Sequence, residues 1–176
     1  MLWDFPDAKT CRVICKRGGY LLAFSSDNKA LACLHGAAKQ LTIYDIPSGT
    51  VRHNLGGQIS ASSICFSQNA KYLAACNLPD STFEPGNVVV WDVETGKVAG
   101  VIADKCDNID RRGVVFLDDN RSVIVSSDGL RIYQFSTGRL VRDCFKTSLA
   151  RLGQVSCNGW AREANHVMDD QTRSDR

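Results

Sequence analysis

A repeat with a period of just over 40 residues limits what this chain can fold into more than any other feature. A short segment that begins with an aromatic residue and leads into a turn recurs at intervals of 41, 47 and 42 residues, at Trp3, Tyr44, Trp91 and Tyr133. A second segment, in which Asp or Asn follows Phe by three residues and Lys or Arg follows it by five, recurs between them at Phe24, Phe66 and Phe116. Two motifs that stay in phase over three periods predict three copies of one supersecondary unit.

Each copy has the pattern of four β-strands. In the first copy, apolar runs cover residues 20–24, 30–34, 40–46 and 50–55, and polar or Gly-containing turns separate them. Gly49 supplies the positive φ that the last of these turns needs. The third run is apolar on both faces at matching places in all copies, which is typical of a strand inside stacked sheets.

Composition favours a soluble globular domain. The 176 residues are 44% hydrophobic and 23% charged, with a net charge of +2, which argues against a disordered, collagen-like or coiled-coil chain. The near-neutral charge gives no electrostatic reason to expect nucleic acid or an anionic membrane as a partner. No apolar run reaches the roughly 18 residues that span a bilayer, and the N-terminus has no signal-peptide pattern.

Eight cysteines are spread along the chain, and none of them forms a CxxC pair. Most lie inside apolar runs, so we expect them to be reduced and buried in an intracellular protein. This favours a cytoplasmic location, with the nucleus as the alternative. A metal site at Cys11, Cys15 and His35 is the other interpretation, but that spacing fits no zinc module. We therefore expect no metal and no cofactor.

The period, the four strands per copy and the Trp-Asp dipeptides at Trp3 and Trp91 resemble WD40 repeats. Softer versions of the dipeptide begin at Tyr44 and Tyr133, and the Gly-His pair that usually opens a WD40 repeat is absent. The resemblance covers residues 2–145. It implies an all-β fold, a partial WD40 β-propeller with about three four-stranded blades plus an incomplete N-terminal one.

The repeat also predicts how the chain is organised. Residues 1–146 are expected to form the WD40 repeat region, an incomplete β-propeller, and residues 147–176 an irregular or disordered C-terminal tail. Because closed propellers have about 4–8 blades, we expect a fragment or truncated form of a larger propeller. Open blades are expected to expose apolar faces, such as Val88 with Val90 or Leu130 with Ile132, and to self-associate through their open edges.

Catalysis finds no support among the motifs. The sequence contains no GxSxG, no P-loop, no HExxH and no GxGxxG in a βαβ context. The WD40 resemblance implies a non-catalytic scaffold or adaptor module for protein–protein interaction. The alternative is the propeller portion of a larger enzyme whose catalytic domain is not in this chain.

In the WD40 family, partners usually dock on the face formed by the blade-to-blade loops and the loops between second and third strands. Mapped onto this sequence, that face holds eight residues that we predict to bind protein: Lys16, Arg17, His35, Lys39, Phe83, Glu84, Arg111 and Arg112. We expect His35 to lie in a loop. Five of the eight are Lys or Arg, so an acidic or phosphorylated segment is the expected partner. The alternative is that these are ordinary solvated loop charges.

Overall fold

A computed structural model of the chain describes residues 2–3, 11–14, 18–78, 87–103, 113–126 and 129–144. Within these ranges every regular secondary-structure element is a β-strand. They contain no helix that is long and apolar enough to cross a membrane. The strands form three four-stranded antiparallel sheets and one two-stranded sheet. The predicted all-β fold is therefore confirmed, with its three four-stranded units. The predicted tail at 147–176 lies outside the described residues.

The four-stranded sheets follow the chain as three consecutive blades. Blade 1 consists of β3 (Leu21–Phe24), β4 (Ala30–His35), β5 (Gln40–Asp45) and β6 (Val51–Leu55). Blade 2 consists of β7 (Ala61–Phe66), β8 (Tyr72–Asn77), β9 (Asn87–Asp92) and β10 (Val98–Ala103). Blade 3 consists of β11 (Gly113–Phe116), β12 (Ser122–Ser126), β13 (Leu130–Gln134) and β14 (Arg139–Cys144). β1 (Leu2–Trp3) and β2 (Cys11–Arg12) pair with each other, where the incomplete N-terminal blade was predicted.

The register is the same in all three blades. The aromatic residue of the third strand always faces an aliphatic residue of the second strand, in the pairs Tyr44–Leu31, Trp91–Leu73 and Tyr133–Val123. The pairing of the third and fourth strands shifts by one residue beside that aromatic position in every blade. Equivalent positions in different blades can therefore be assigned from hydrogen-bonded register.

Two apolar cores lie between neighbouring blades. We term the face of a blade toward the preceding blade its rear face, and the face toward the following blade its front face. Between blades 1 and 2, the rear face of blade 2 packs on the front face of blade 1, with Phe66 and Trp91 in one cluster with Ala32 and Ile43. The same arrangement joins blade 3 to blade 2. The first strands of adjacent blades contact each other, as expected for inner strands around a propeller axis.

The prediction of which apolar faces would be open was wrong in its residues. Val88 and Val90 are fully buried, because the front face of blade 2 is covered by blade 3. Ile132 is also buried, and Leu130 is partly buried against the same core. The open apolar side chains lie instead on the first strand of blade 1, at Leu22 and Phe24.

Candidate protein interface at the loop end of the blades

The antiparallel order gives the blades two different ends. At the turn end, short turns join the first strand to the second and the third to the fourth. At the loop end lie the connections between second and third strands and those between blades. The sequence predicts that partners bind at the loop end. The polar and aromatic groups at the two ends indicate which end is better suited to bind a partner.

At the turn end, carboxylates stabilise the turns in which they lie. Asp45 accepts hydrogen bonds from the Ser48 hydroxyl at 2.6 Å and the Ser48 backbone N–H at 2.8 Å. These bonds, with a further one from the Arg52 guanidinium, lower the pKa of Asp45 to about 2. Asp92 takes the same role in blade 2, where the backbone N–H and hydroxyl of Thr95 bind it at 2.8 Å and the backbone bond comes first in lowering its pKa. These acidic groups therefore have a structural role.

The turns between first and second strands are also linked from blade to blade. The Ser26 hydroxyl donates to the Gln68 carbonyl, and the Gln68 side-chain amide donates to Asp118. The Asn69 backbone N–H donates to the Asn120 side-chain oxygen at 2.8 Å. Polar groups at the turn end thus form hydrogen bonds with one another across three blades. Fewer of these groups remain to bind a partner.

At the loop end, the described residues include an exposed aromatic side chain. Tyr20, just before β3, is 52% exposed, and its hydroxyl donates to the Ala61 carbonyl of blade 2 at 3.4 Å. A Cβ atom at Gly36 would lie 3.2 Å from the ring atom Cδ1 of Tyr20, so glycine at this position lets the ring lie close to the loop. Tyr20 is held from both sides while much of its surface stays open to solvent.

Lys39 lies in the same loop and has an unusual backbone. Its φ is 45°, a left-handed conformation that few residues other than glycine adopt. Its N–H donates to the Gly36 carbonyl at 3.3 Å, and its carbonyl accepts from the Ile59 N–H at 2.6 Å. These two hydrogen bonds fix the loop against the connection between blades 1 and 2. The structure therefore places Lys39 in the well-anchored loop between β4 and β5, whose Gly36 lies against the Tyr20 ring.

His35 is not a loop residue, and that prediction was wrong. It is the last residue of β4 and is buried. Its Nε2 lies 3.2 Å from the Tyr44 hydroxyl, and its Nδ1 lies 3.8 Å from the Cys33 thiol. The alternation of β4 turns this side chain onto the rear face of the blade, where its polar atoms find partners in the core. Its predicted contact with a partner protein stays a prediction.

Asn77 occupies the register position of His35 in blade 2. It is fully buried, and neither its side-chain oxygen nor its side-chain nitrogen has a hydrogen-bond partner among the residues that the structure describes. An unpaired buried amide lowers the free energy of unfolding by roughly 1–3 kcal/mol. Asn77 therefore destabilises blade 2, whereas His35 in blade 1 has the Tyr44 hydroxyl as a partner.

The remaining predicted binding residues, Lys16, Arg17, Phe83, Glu84, Arg111 and Arg112, lie outside the described residues. Sequence reasoning missed Tyr20, because it counted this residue as the start of the first strand. The nearby Gly18–Gly19 pair and Gly36 were the available signal that an aromatic ring there could lie against open backbone.

The cysteines and the possible metal ligands are the last residues for which the sequence makes predictions. Cys33, Cys65 and Cys76 are buried and form no disulfide, as predicted for these three positions. Over the part of the chain that the structure describes, no group of three or more His, Cys, Asp or Glu side chains is arranged to hold a metal ion.

Comparison with known proteins supports the fold. No family model matches the sequence, and no curated protein matches it. Among solved structures, hydrazine synthase of Kuenenia stuttgartiensis is similar with a TM-score of 0.59 and 16% identity over 80% of this chain. The Cps50 (Swd1) beta-propeller domain of Myceliophteria thermophila is similar with a TM-score of 0.57 and 16% identity over 73% of this chain. This chain spans 39% of the length of each. Together with the three blades, the similarity shows a partial β-propeller.

Proposed function

We propose that this chain is a non-catalytic protein-interaction module of the WD40-repeat type, a scaffold or adaptor that binds other proteins at the loop end of its blades. The repeated Trp-Asp and Tyr-Asp dipeptides and the propeller fold support the repeat type. Rigid scaffolds commonly carry recognition on their loops. The observation that carries the proposal is Tyr20, an exposed aromatic ring held in place at the loop end by its hydrogen bond to Ala61.

The proposed ligand is an acidic or phosphorylated segment of another protein. Seven acidic residues are described, and the seventh, Asp143, lies near the loop end of blade 3. The other six lie at the turn end: Asp27, Asp45, Asp92, Glu94, Asp118 and Asp119. The described loop-end residues of blades 1 and 2 include Lys39 and no acidic side chain. A lysine at the loop end can pair with a negative group of a bound segment, and the fixed tyrosine ring at the same end can offer that segment an apolar surface.

The cellular setting follows from the cysteines. Buried cysteines that form no disulfide, at Cys33, Cys65 and Cys76, suit a reducing compartment, so the proposed location is the cytoplasm or nucleus. Neither a cofactor nor a nucleic-acid or membrane partner is part of the proposal.

The proposal is tested by direct binding to an array of acidic, phosphorylated and neutral peptides, followed by titration of the peptides that bind. We expect Tyr20→Ala to weaken binding by about thirtyfold, as for an aromatic anchor, and Lys39→Glu by about tenfold or more. The double reversal Arg111→Glu with Arg112→Glu tests the part of the face outside the described residues. The matched control reverses Arg139 and Arg142 on the fourth strand of blade 3, away from the loop-end residues of blade 1.

Two outcomes contradict the proposal. If the control reversal weakens binding as much as the loop-end substitutions, the attraction is a property of the whole molecule's charge. If neutral peptides bind as well as acidic and phosphorylated ones, the proposed ligand is wrong.

A further inference from the structure

Gly36 has no side chain at the place where the Tyr20 ring comes close to the loop between β4 and β5. A Cβ atom at Gly36 would lie 3.2 Å from Cδ1 of the ring and 3.6 Å from Cε1. The first distance is shorter than the best separation of two non-bonded carbon atoms, which is about 3.5–4.0 Å. A residue larger than glycine would therefore require either the loop or the ring to move.

The loop is held by backbone hydrogen bonds. It follows directly from β4, and the Gly36 carbonyl accepts a hydrogen bond from the Lys39 N–H at 3.3 Å. The Lys39 carbonyl in turn accepts from the Ile59 N–H at 2.6 Å, which ties the loop to the connection between blades 1 and 2. Because a displaced loop would disturb these bonds, we expect the loop to stay in place.

The Tyr20 ring can move more easily, because much of its surface faces solvent. The Tyr20 backbone N–H donates to the Leu34 carbonyl at 3.0 Å, but the side chain is 52% exposed. Its hydroxyl reaches the Ala61 carbonyl at 3.4 Å, which is already long for a hydrogen bond between two oxygen atoms. Even a small shift of the ring away from Gly36 therefore weakens or breaks this bond.

We propose that Gly36 is a positioning residue for the loop-end ligand, because its missing side chain sets the orientation in which Tyr20 meets a bound segment. This inference rests on the proposed function, in which Tyr20 is the aromatic anchor, and it assigns the orientation of that anchor to the loop between β4 and β5. An anchor that is already fixed in its bound orientation loses less freedom on binding. A displaced and less fixed ring therefore binds the segment less tightly.

The variant Gly36→Ala tests the proposal without straining the backbone. Gly36 is exposed, and its φ lies outside the left-handed region that favours glycine. The matched control is Gly56→Ala, in the connection between blades 1 and 2, where φ is also ordinary and a Cβ atom would have no heavy atom within 4 Å. Both variants are expected to be at least as stable to urea as the wild type, because alanine restricts the unfolded chain.

Titration of the full chain with the acidic or phosphorylated peptide that binds it best measures the effect on affinity. Gly36→Ala is expected to weaken binding by about fivefold, and Gly56→Ala to leave it unchanged. In a Tyr20→Ala background, Gly36→Ala is expected to have no further effect, because the ring that it displaces is absent. Wild-type affinity in Gly36→Ala, or a loss of the same size with and without the Tyr20 ring, would overturn the proposal.

NMR measures the position of the ring without any ligand. Tyr20→Phe removes the hydrogen bond to Ala61 and is expected to shift the ¹³C signal of the Ala61 carbonyl. Gly36→Ala should shift this signal in the same direction, and Gly56→Ala should leave it in place; a signal that does not respond to Gly36→Ala would overturn the proposal. If the wild type binds none of the peptides, the proposed function is wrong and the binding role of Gly36 with it, whereas the carbonyl signal still decides whether Gly36 positions the ring.

Discussion

Blades 1 and 2 have the same strand order, the same register and closely similar sequence motifs, yet their rear faces differ in what they contact. Phe24 and Phe66 begin the same six-residue segment; Phe66 is buried and Phe24 is half exposed. Both positions are apolar, as the strand pattern requires. The side chain is removed from water only where a neighbouring blade covers it. Stability in this fold is thus carried by the interfaces between units.

The two blades also differ in how they satisfy polar groups at the end of the second strand. In blade 1, His35 lies near the Tyr44 hydroxyl and the Cys33 thiol. In blade 2, Trp91 replaces the tyrosine, Ala75 replaces the cysteine, and the amide of Asn77 has no partner in the described part of the chain. Blade 2 is better packed on its rear face, but it contains the weaker polar site.

Alanine at the two equivalent phenylalanines gives the largest expected difference. Phe66→Ala should lower the free energy of unfolding by about 3–5 kcal/mol, because it leaves a cavity between blades 1 and 2. Phe24→Ala should lower it by only about 1 kcal/mol, since half of that side chain is already in water. Urea denaturation of both variants measures the two losses, and equal losses would show that the interface between blades does not determine burial.

Leucine at the two equivalent polar positions should change stability in opposite directions. Asn77→Leu is expected to raise the free energy of unfolding by about 1–2 kcal/mol, because it removes a buried amide without partners. His35→Leu is expected to lower it by about 1–2 kcal/mol, because the buried Tyr44 hydroxyl loses a partner. The same denaturation experiment measures both, and a shared sign would mean that the polar contacts of the two blades are equivalent after all.

A smaller effect is expected in the turns between first and second strands. Asn28, Ala70 and Asn120 have φ values of 57°, 58° and 52°, and of these residue types asparagine tolerates that conformation better than alanine. Ala70→Asn should stabilise blade 2 by about 0.5–1 kcal/mol, and Asn28→Ala should destabilise blade 1 by a similar amount. Thermal unfolding of both variants checks this; a loss of stability in Ala70→Asn would show that the turns are not equivalent.

The smallest expected effect is a pH dependence at Asp45. The Ser48 hydroxyl and N–H, and then Arg52, hold its pKa at about 2 in the folded state, below its ordinary value of 3.8. A lowered pKa stabilises the folded state above the higher value, and this stabilisation is lost as the pH falls from about 4 toward 2. Asp45→Asn should therefore flatten the decline in unfolding free energy over that range. An unchanged slope would contradict the role assigned to this carboxylate.

Most of the fold could be predicted from the sequence, because the repeat is present in local patterns. The apolar runs, the Gly49 turn and the aromatic anchors each reflect neighbours within one sheet, and their boundaries agree with the strands to within one or two residues. Which blade faces are open could not be predicted, since this depends on contacts between units. Phe24 and Phe66 have similar local sequence patterns, but Phe24 is half exposed and Phe66 is buried.

The candidate site was less predictable for the same reason. His35 follows an apolar run, and nothing local indicates that Tyr44, nine residues later, would lie against its ring. Tyr20 has the composition of a strand residue, and its exposure depends on the approach of Gly36 and on its bond to Ala61 in the next blade. The burial of His35 and the exposure of Tyr20 both depend on long-range packing.

Hydrogen exchange followed by mass spectrometry tests most directly whether a neighbouring blade determines local stability. Peptides covering β3 and β7 contain equivalent strands with the same pairing partners inside their own blades. The amides of β7 should exchange at least about tenfold more slowly than those of β3, because β7 packs into the cores on both sides of blade 2, whereas β3 packs only into the core between blades 1 and 2. Equal exchange in the two strands, or slower exchange in β3, would contradict the central role of the interfaces between blades.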